Sequence, residues 1–341
     1  MKYISFAVPC YNSQGYMKKC IDSLLTAGED VEIIIVNDGS TDGTLQIANE
    51  YARNYPHIIR VIDKPNGGHG SGVNAGIQAA QGVYFKVVDS DDWLDADALK
   101  ALVNTVKSHI SAGQSPDLYI TNFVYDKYFE NTCHVSGYAN KMPAGRFIGW
   151  DKIKGFRLSH MMLMHALVYK REVLLNSGMV LPEHTFYVDN IFAYEPLPHT
   201  RTLFYLDVDL YHYFIGRADQ SVNYCNFVKR YCQQIRVMLH MTDAYTLAEI
   251  KRLPKGLKRY MWHSLQTIMM TTIFFTCAEY SEERRQALKE MWRHIKQRDK
   301  KLYRRLRHCS YATSVNYLGW RLRGKVMTKG YRFLCRRVKL G

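Results

Sequence analysis

Three carboxylates stand together in the sequence Asp89-Ser90-Asp91-Asp92, directly after the mostly apolar run at residues 83–88. Negative charges this close to a buried strand repel one another strongly unless a cation or hydrogen-bond donors compensate them. Mg²⁺ and Mn²⁺ suit this task because they prefer oxygen ligands and share them with phosphate groups. The segment therefore predicts a divalent-ion site that holds a diphosphate, with a simple helix N-cap as the alternative.

Two further polar segments could bind parts of a nucleotide. Asp38, in Asn37-Asp38-Gly39-Ser40-Thr41, could accept a hydrogen bond from a base or ribose, but these residues also suit a tight turn with an N-cap. Residues 66–76 form a glycine-rich loop that offers backbone amides to an anion. This loop matches neither the P-loop nor the dinucleotide-binding fingerprint, so by itself it is weak evidence.

Each of these segments follows a short run rich in β-branched and aromatic residues, and segments of helical period separate the runs. The predicted strands cover residues 3–9, 31–37, 58–63, 83–89 and 118–125, and the predicted helices cover residues 15–27, 41–55, 70–80 and 95–109. This alternation predicts a mostly parallel α/β sheet, in which ligands bind at the carboxyl ends of the strands.

The rest of the chain has a different pattern. Residues 130–220 are more irregular, with a strand predicted at 203–214 and a helix near 171–177. Beyond about residue 223 the chain is predicted to be helical, with candidate helices at 226–250, 256–278, 282–306 and 314–338. Pro254 and Gly256 mark the first boundary between these helices.

Positive charge is concentrated in the last quarter of the chain. The formal net charge is +15, yet residues 251–341 contain 24 Lys and Arg against 5 Asp and Glu. The predicted helix at 314–338 is amphipathic and basic, which suits an anionic membrane surface. One alternative is that the charges form the solvated face of a helix packed on its neighbours. Binding to nucleic acid is a weaker alternative, because no recognised nucleic-acid motif accompanies the charge.

Cysteine usage and the apolar segments favour a cytoplasmic protein. The eight cysteines form no CxxC pair and no spacing typical of zinc ligands, as expected of reduced thiols. Residues 1–12 predict a first strand, because they contain no separate apolar core or cleavage site of a signal peptide. The most apolar C-terminal stretch, 269–278, is shorter than the about 18–20 residues that a spanning helix needs.

Six segments, taken in order, give the sequence a specific resemblance. From residue 1 to about 221 the chain resembles the family 2 glycosyltransferases of the GT-A fold, in particular bacterial enzymes that build cell-surface polysaccharides or glycosylate teichoic acids. The matching segments are VPCYN at 8–12, VNDGSTDGT at 36–44, NGGHGSGVNAG at 66–76, the DXD motif DSDD at 89–92, FYVDNIF at 186–192 and YHYFIGRADQS at 211–221.

The resemblance implies roles for particular residues around a nucleotide-sugar donor. Asp91 is implied as the metal ligand, and Asp89 as a second metal candidate that contacts the ribose or acts through water. The other implied donor-binding residues are Pro9, Tyr11, Asn12 and Asp38 around the base and ribose, Asn66, Gly67, Asn74 and Ser90 nearby, and Arg217 and Ser221 facing the diphosphate.

The same resemblance implies that Asp189 is the catalytic base, and it also exposes two departures from the family pattern. Val188 stands where the family often has Glu, which leaves Asp189 as the only candidate base in that segment. Val73 stands where many members have Arg, so this helix offers no basic contact to the phosphates at that position. The resemblance then makes Arg217 the more important basic contact. His165 could face the sugar, but a structural histidine fits better, and Trp93 could lie beside donor or acceptor or simply pack in the core.

We therefore predict a GT-A fold of the α/β class followed by a basic helical region. Residues 1–222 are expected to form the catalytic domain, with a nucleotide-binding half at 1–125 and an acceptor-binding half at 126–222, and residues 223–341 the helical region. The implied reaction is an inverting transfer from a UDP-sugar to a hydroxyl, assisted by Mn²⁺ or Mg²⁺. The expected acceptor is a cell-surface glycan, a lipid-linked saccharide or a polyanionic polymer, at the inner face of the cell membrane.

Two other functions are compatible with parts of this pattern. The first is a non-catalytic nucleotide-binding protein that acts through its basic tail, but such a protein has no evident use for a base and a diphosphate clamp. The second is a metal-dependent nucleotidyltransferase, which would be expected to carry a basic residue in the glycine-containing loop after the first strand. The corresponding segment here, VPCYNSQG, carries none.

Overall fold

The computed structural model describes residues 1–127, 132–157, 160–216, 224–320, 322–326 and 329. The chain divides into two compact units. The first comprises Met1–Gly155 and Met162–Arg217, and the second comprises Phe156–Met161 and Ala218–Gly341. The domain boundary predicted between residues 222 and 223 lies outside the described residues.

The first unit is built on one sheet of ten strands. The strands are β1 (Ile4–Cys10), β2 (Val31–Asp38), β3 (Ile59–Lys64), β4 (Tyr84–Val87), β5 (Trp93–Leu94), β6 (Leu118–Lys127), β7 (Thr132–Ser136), β8 (Phe147–Ile148), β9 (Leu167–Lys170) and β10 (Leu203–Ile215). Their order is β3-β2-β1-β4-β9-β6-β10-β5, with β7 beside β6 and β8 beside β10. The sheet runs through both predicted halves of the catalytic domain.

All five strands predicted from the first 125 residues are present. The strands β1 and β2 are buried at every position, as expected of parallel strands covered on both faces. Pairing is parallel from β3 to β4 and between β6 and β10. The strand β9 lies antiparallel to both β4 and β6 and joins the two parallel parts.

Within its described residues this unit has six α-helices: α1 (Met17–Leu25), α2 (Thr44–Asn54), α3 (His69–Ala79), α4 (Ala96–Ser111), α5 (Arg171–Ser177) and α6 (Asp189–Phe192). The glycine-rich α3 packs closely on β1. A Cβ added at Gly76 would lie 2.6 Å from the Cβ of Ala7, so only glycine allows this approach. The glycines therefore bring the N-terminus of α3 to the carboxyl end of the sheet.

The second unit is helical, as predicted. Its helices are α7 (Tyr224–Lys229), α8 (Tyr231–Ala244), α9 (Leu247–Arg252), α10 (Lys255–Cys277), α11 (Glu282–Arg298), α12 (Lys300–His308) and α13 (Thr313–Asn316). The single helix expected at 226–250 is wrong, because α7, α8 and α9 replace it. The α8 helix ends before Tyr245, whose backbone is extended, and Thr246 forms a capping box with Glu249 at the start of α9.

The helix expected at 282–306 is also divided. Asp299 has an extended backbone and ends α11, while its carboxylate accepts hydrogen bonds from Lys301 N and Leu302 N at 2.8 and 3.0 Å and caps α12. The helix expected at 314–338 is described only in part, since α13 ends at Asn316 and residues 322–326 are helical. None of the helices within the described ranges combines the length and apolarity needed to cross a bilayer.

Candidate active site

Loops at the carboxyl ends of β1, β2 and β4 meet at one edge of the sheet. The first two are joined through Asn12, whose Oδ1 accepts a hydrogen bond from Thr41 N at 2.9 Å and whose backbone N donates to Ser40 Oγ at 3.0 Å. Ser13 then links the first loop to the acidic loop, with 2.9 Å between its Oγ and that of Ser90. The sheet thus brings together segments that lie up to 80 residues apart, as the parallel topology predicts.

Asp38 anchors the glycine-rich loop. Its carboxylate is buried and accepts hydrogen bonds from Lys64 Nζ at 2.7 Å and from the backbone amides of Gly67 and Gly68 at 2.9 and 2.7 Å. Gly68 adopts a φ of +83°, a conformation that favours glycine. Asp38 therefore holds the loop in a fixed shape below the N-terminus of α3.

We expect Asp38→Ala to lower the free energy of unfolding by about 2–3 kcal/mol, because it leaves two backbone amides and one ammonium group without their acceptor. Urea unfolding followed by circular dichroism measures the change. Glu50→Ala, on the exposed face of α2, is the control and should change stability by less than about 0.5 kcal/mol. Equal stability of the Asp38 variant and the wild type would contradict the anchoring role.

His69, the first residue of α3, contacts the first acid of the DXD motif. Its Nε2 lies 2.7 Å from Asp89 Oδ1. Burial alone would lower the pKa of His69, but the negative charge of Asp89 and the hydrogen bond to it outweigh burial and raise this pKa. For Asp89, burial would raise the pKa, and the charge and hydrogen bond of His69 lower it overall. The two side chains therefore form an ion pair at the edge of the site.

Asp92 has a different role from its neighbours. It is 1% exposed, and its carboxylate accepts hydrogen bonds from the hydroxyl of Tyr211 at 2.5 Å and from Phe214 N at 2.8 Å. Burial, together with the charges of Asp91 and Asp89, raises the pKa of Asp92 well above its ordinary value. Asp92 thus fastens the acidic loop to β10.

The donor set at this edge suits a divalent ion. Ligand atoms of Asp89, Asp92 and His165 lie within 4.8 Å of one another. His165 is buried, which lowers its pKa to about 4, and its Nδ1 has no hydrogen-bond partner in the part of the chain that the structure describes. A neutral imidazole beside carboxylates is a ligand set that Mn²⁺ accepts. Asp91 lies outside this group of three, although its charge acts on Asp92 and His69.

Four hydrogen bonds hold the segment that carries Asp189 against the glycine-rich loop and α3. His184 N donates to Gly67 O at 2.6 Å, and the hydroxyl of Ser71 donates to Glu183 Oε1 at 2.9 Å. The side-chain amide of Asn74 pairs with the backbone N and O of Leu181 at 3.0 and 2.9 Å. The segment is therefore tied to the same helix that carries His69.

Asp189 begins α6 and is only partly exposed. Burial raises its pKa to about 6, with the charge of His69 opposing and that of Asp89 adding to this shift. The side chain of Asn190 donates to Asp189 Oδ1 at 3.2 Å. A carboxylate with this pKa and with access to solvent can accept a proton near neutral pH.

Other residues assigned from the sequence lie at the same edge of the sheet, and they differ in whether their side chains are exposed or already hydrogen-bonded within the protein. Tyr11 is 53% exposed and free to stack on a ligand, whereas the amide of Asn66 donates to Asp38 O at 2.8 Å. Both ends of the Asn74 amide are occupied by Leu181, so its assigned donor contact stays a prediction. Arg217 and Ser221 lie outside the described residues, and their roles at the diphosphate likewise stay predictions.

The ring of Trp93 is partly exposed and contacts two protein groups. Its ring stacks on that of His212, with 5.2 Å between the centroids, and the ammonium group of Lys19 lies 2.8 Å from the ring centre. This arrangement favours the packing role for Trp93 over a contact with donor or acceptor. His165 precedes β9 and stacks on Tyr211, with 4.6 Å between the centroids.

Sequence reasoning missed two charged residues of the site. The sequence analysis does not identify His69 as a site residue. Its polar ring, within a glycine-rich segment at the start of a predicted helix, was a signal that could have identified it. Lys86 is fully buried in β4 and donates from Nζ to the backbone O of His165. Burial lowers its pKa to about 7. A single lysine inside an apolar strand was the signal for it, since lysine is almost never buried without a partner.

Comparison with known sequences identifies the class of protein that this fold and site define. Residues 5–171 match the family Glycosyl transferase family 2. The chain belongs to this family and is a glycosyltransferase.

Two curated relatives and one solved structure give the range of similarity. The chain is 29% identical over 267 residues to the glycosyltransferase EpsH of Bacillus subtilis (strain 168), covering 73% of this chain and 70% of that protein. It is 40% identical over 113 residues to the poly(ribitol-phosphate) β-glucosyltransferase of Bacillus spizizenii, covering 32% of this chain and 18% of that one. Residues 1–349 of S. aureus TarS in complex with UDP-GlcNAc superpose with a TM-score of 0.67 at 20% identity, over 97% of this chain and 92% of that chain. This last likeness confirms the predicted fold.

Proposed function

We propose that this glycosyltransferase moves a sugar from a UDP-sugar to a hydroxyl of a cell-surface glycan or polyol-phosphate polymer, with inversion at the anomeric carbon. The observation that carries the proposal is the placement of Asp189. It is a partly exposed carboxylate with a pKa of about 6, tied through its segment to α3, whose first residue contacts the DXD motif. Family membership disfavours both alternatives, the non-catalytic nucleotide-binding protein and the nucleotidyltransferase.

In this proposal each residue has one task. Asp189 takes the proton from the acceptor hydroxyl, which attacks the anomeric carbon from the face opposite the diphosphate. Asp38 fixes the glycine-rich loop, whose amides lie near the donor, and Tyr11 offers its exposed ring to the base. The single displacement inverts the configuration of the sugar. An aspartate suffices as the base when the leaving group is well stabilised.

The proposal includes a divalent ion, Mn²⁺ or Mg²⁺, that would be held by Asp89 and Asp91 with His165 beside them. When bound, the ion would neutralise charge on the diphosphate leaving group. In their protonated forms His69 and Lys86 lower the pKa of Asp89 and so offset repulsion among the carboxylates of the acidic loop.

The names of relatives support the choice of donor and acceptor. TarS binds UDP-GlcNAc, and the Bacillus spizizenii relative bears the name of a poly(ribitol-phosphate) glucosyltransferase. Because these similarities are distant or partial, the particular sugar and polymer are proposals for this chain. Attachment of the basic C-terminal region to the inner face of the cell membrane belongs to the same proposal.

The test is to incubate the purified protein with a panel of UDP-, GDP- and TDP-sugars, and to measure nucleotide release with Mn²⁺ and with EDTA. We expect UDP release from one sugar in Mn²⁺ and at least about a 100-fold loss of rate in EDTA. A nucleoside triphosphate, tested in parallel, should release no pyrophosphate. Release of pyrophosphate, or failure to bind any UDP-sugar in Mn²⁺, would overturn the proposal.

A further inference from the structure

One face of α12 carries a row of three cationic side chains and one histidine. Lys301, Arg304, Arg305 and His308 follow one another at intervals of three, one and three residues, which places them on the same side of the helix. The opposite side buries Leu302 and Leu306, both 0% exposed. The row therefore faces away from the apolar core of the second unit.

This row lines one wall of an open depression of about 510 Å³, to which α9 contributes Lys251. Asp299 holds the two helices together at this point. Its Oδ1 caps α12, and its Oδ2 accepts a hydrogen bond from Leu247 N, at the start of α9, at 2.8 Å. The cations are therefore presented by a fixed framework.

The described lining of the depression carries four Lys and Arg side chains, and the charge of one of them, Lys301, acts on the carboxylate of Asp299. Among its described lining residues none is acidic, and none of its five cationic or imidazole side chains forms an ion pair with a described carboxylate. Like charges held this close repel one another, so the folded unit is stabilised when an anion enters.

Arg305 is oriented for such an anion. Its guanidinium carbon lies 4.1 Å from the centre of the Trp262 ring. A guanidinium held over an aromatic ring by a cation–π contact can still donate hydrogen bonds to phosphate oxygens. His308 is held through its Nδ1 by the hydroxyl of Tyr317. Two of the five groups are thus positioned before any ligand arrives.

We propose that this depression binds the phosphodiester groups of a polyanionic polymer. The inference deepens the proposed function and rests on it in one respect, because it names the chemical class of the acceptor polymer. An open depression lined by four Lys and Arg side chains suits discrete phosphate groups. An anionic membrane fits less well, since the apolar lining residue Leu247 is buried and has no surface to insert.

The test compares two double variants of equal charge change in the full chain. Lys301→Glu with Arg304→Glu reverses two charges in the depression. Lys289→Glu with Arg293→Glu reverses two exposed charges on α11, away from its lining residues, and is the matched control. Labelled poly(glycerol phosphate) is the probe, and fluorescence anisotropy at several salt concentrations gives the affinity. A neutral dextran and vesicles of phosphatidylglycerol are tested alongside.

We expect the wild type to bind poly(glycerol phosphate) and not dextran, with an affinity that falls as salt rises. The depression variant should lose at least about tenfold in affinity, and the α11 variant less than about threefold. Equal losses in both variants would overturn the inference, because general net charge would then explain binding. It would also be overturned if the depression variant lost vesicle binding and kept polymer binding.

UDP release from the donor, measured on the same samples, separates this inference from the proposed function. The depression variant should keep the wild-type rate of release, because it changes no residue assigned to the donor site. Donor turnover without any polymer binding would overturn the inference alone. Polymer binding without donor turnover would overturn the proposed function and leave the binding site in place.

Discussion

Asp189→Asn is expected to lower the rate of glycosyl transfer by about 10²–10⁴-fold while the affinity for the UDP-sugar changes little. The amide matches the carboxylate in size but cannot accept the proton of the acceptor hydroxyl. Transfer is measured by following the radiolabelled sugar into product, and donor affinity by calorimetry with UDP. Asp151→Asn, at an exposed carboxylate of the same unit, is the control and should transfer at the wild-type rate.

The pH dependence gives a second measure of the same role. A base acts only in its deprotonated form, and burial raises the pKa of Asp189 to about 6. The wild-type kcat/KM should therefore be constant above that pH and fall about tenfold per pH unit below it. The residual rate of the Asp189→Asn variant should not show this fall at low pH. Wild-type turnover by Asp189→Asn would remove Asp189 from the role of base.

Asp91→Ala is expected to abolish the effect of Mn²⁺ on UDP binding, weakening the affinity measured in Mn²⁺ by at least about 100-fold. Asp89→Ala should act in the same direction. Calorimetric titration of UDP with Mn²⁺ and with EDTA measures the effect, and circular dichroism checks the fold.

Asp92→Asn is the matched comparison. Its carboxylate is already occupied by Tyr211 and Phe214, and its pKa is raised well above the ordinary value. The variant should therefore lose stability but keep the response to Mn²⁺. If Asp92→Asn lost that response and Asp91→Ala kept it, the ligands would be the buried group of Asp89, Asp92 and His165, and the assignment of Asp91 would be wrong.

The sequence predicts the parallel part of the sheet well, because β1 and β2 are short apolar runs buried at every position and the other strands lie in runs rich in β-branched and aromatic residues. The position of β9 is not predictable in this way. Its direction depends on pairing with β4 and β6, which lie far from it in sequence. One boundary between the C-terminal helices, the start of α9, could be predicted from the sequence, because Thr246 and Glu249 have the spacing of a capping box.

In the active site too, some residues could be identified from the sequence, whereas the contacts between them could not. Asp89 could be selected from the residues themselves, because three acids follow a buried strand. Asp189 is implied only by the family resemblance, and Asp38 also suits a tight turn. The contact between His69 and Asp89 depends on how closely α3 approaches β1, and that approach depends on Gly76 packing against Ala7. Residue type alone does not give such a distance. For the same reason the sequence could not show that the amide of Asn74 is used by Leu181.

The bonds from α3 to the segment before Asp189 also bear on protein engineering. Exchanging residues 181–190 for those of a relative, in order to change acceptor preference, would remove the Glu183 side chain that Ser71 binds. The new segment would also have to keep the backbone course that meets Asn74 and the carbonyl of Gly67. Residues 66–74 and 181–190 therefore form one structural unit, although more than a hundred residues separate them. A functional chimera therefore has to carry residues 66–74 and 181–190 from the same parent.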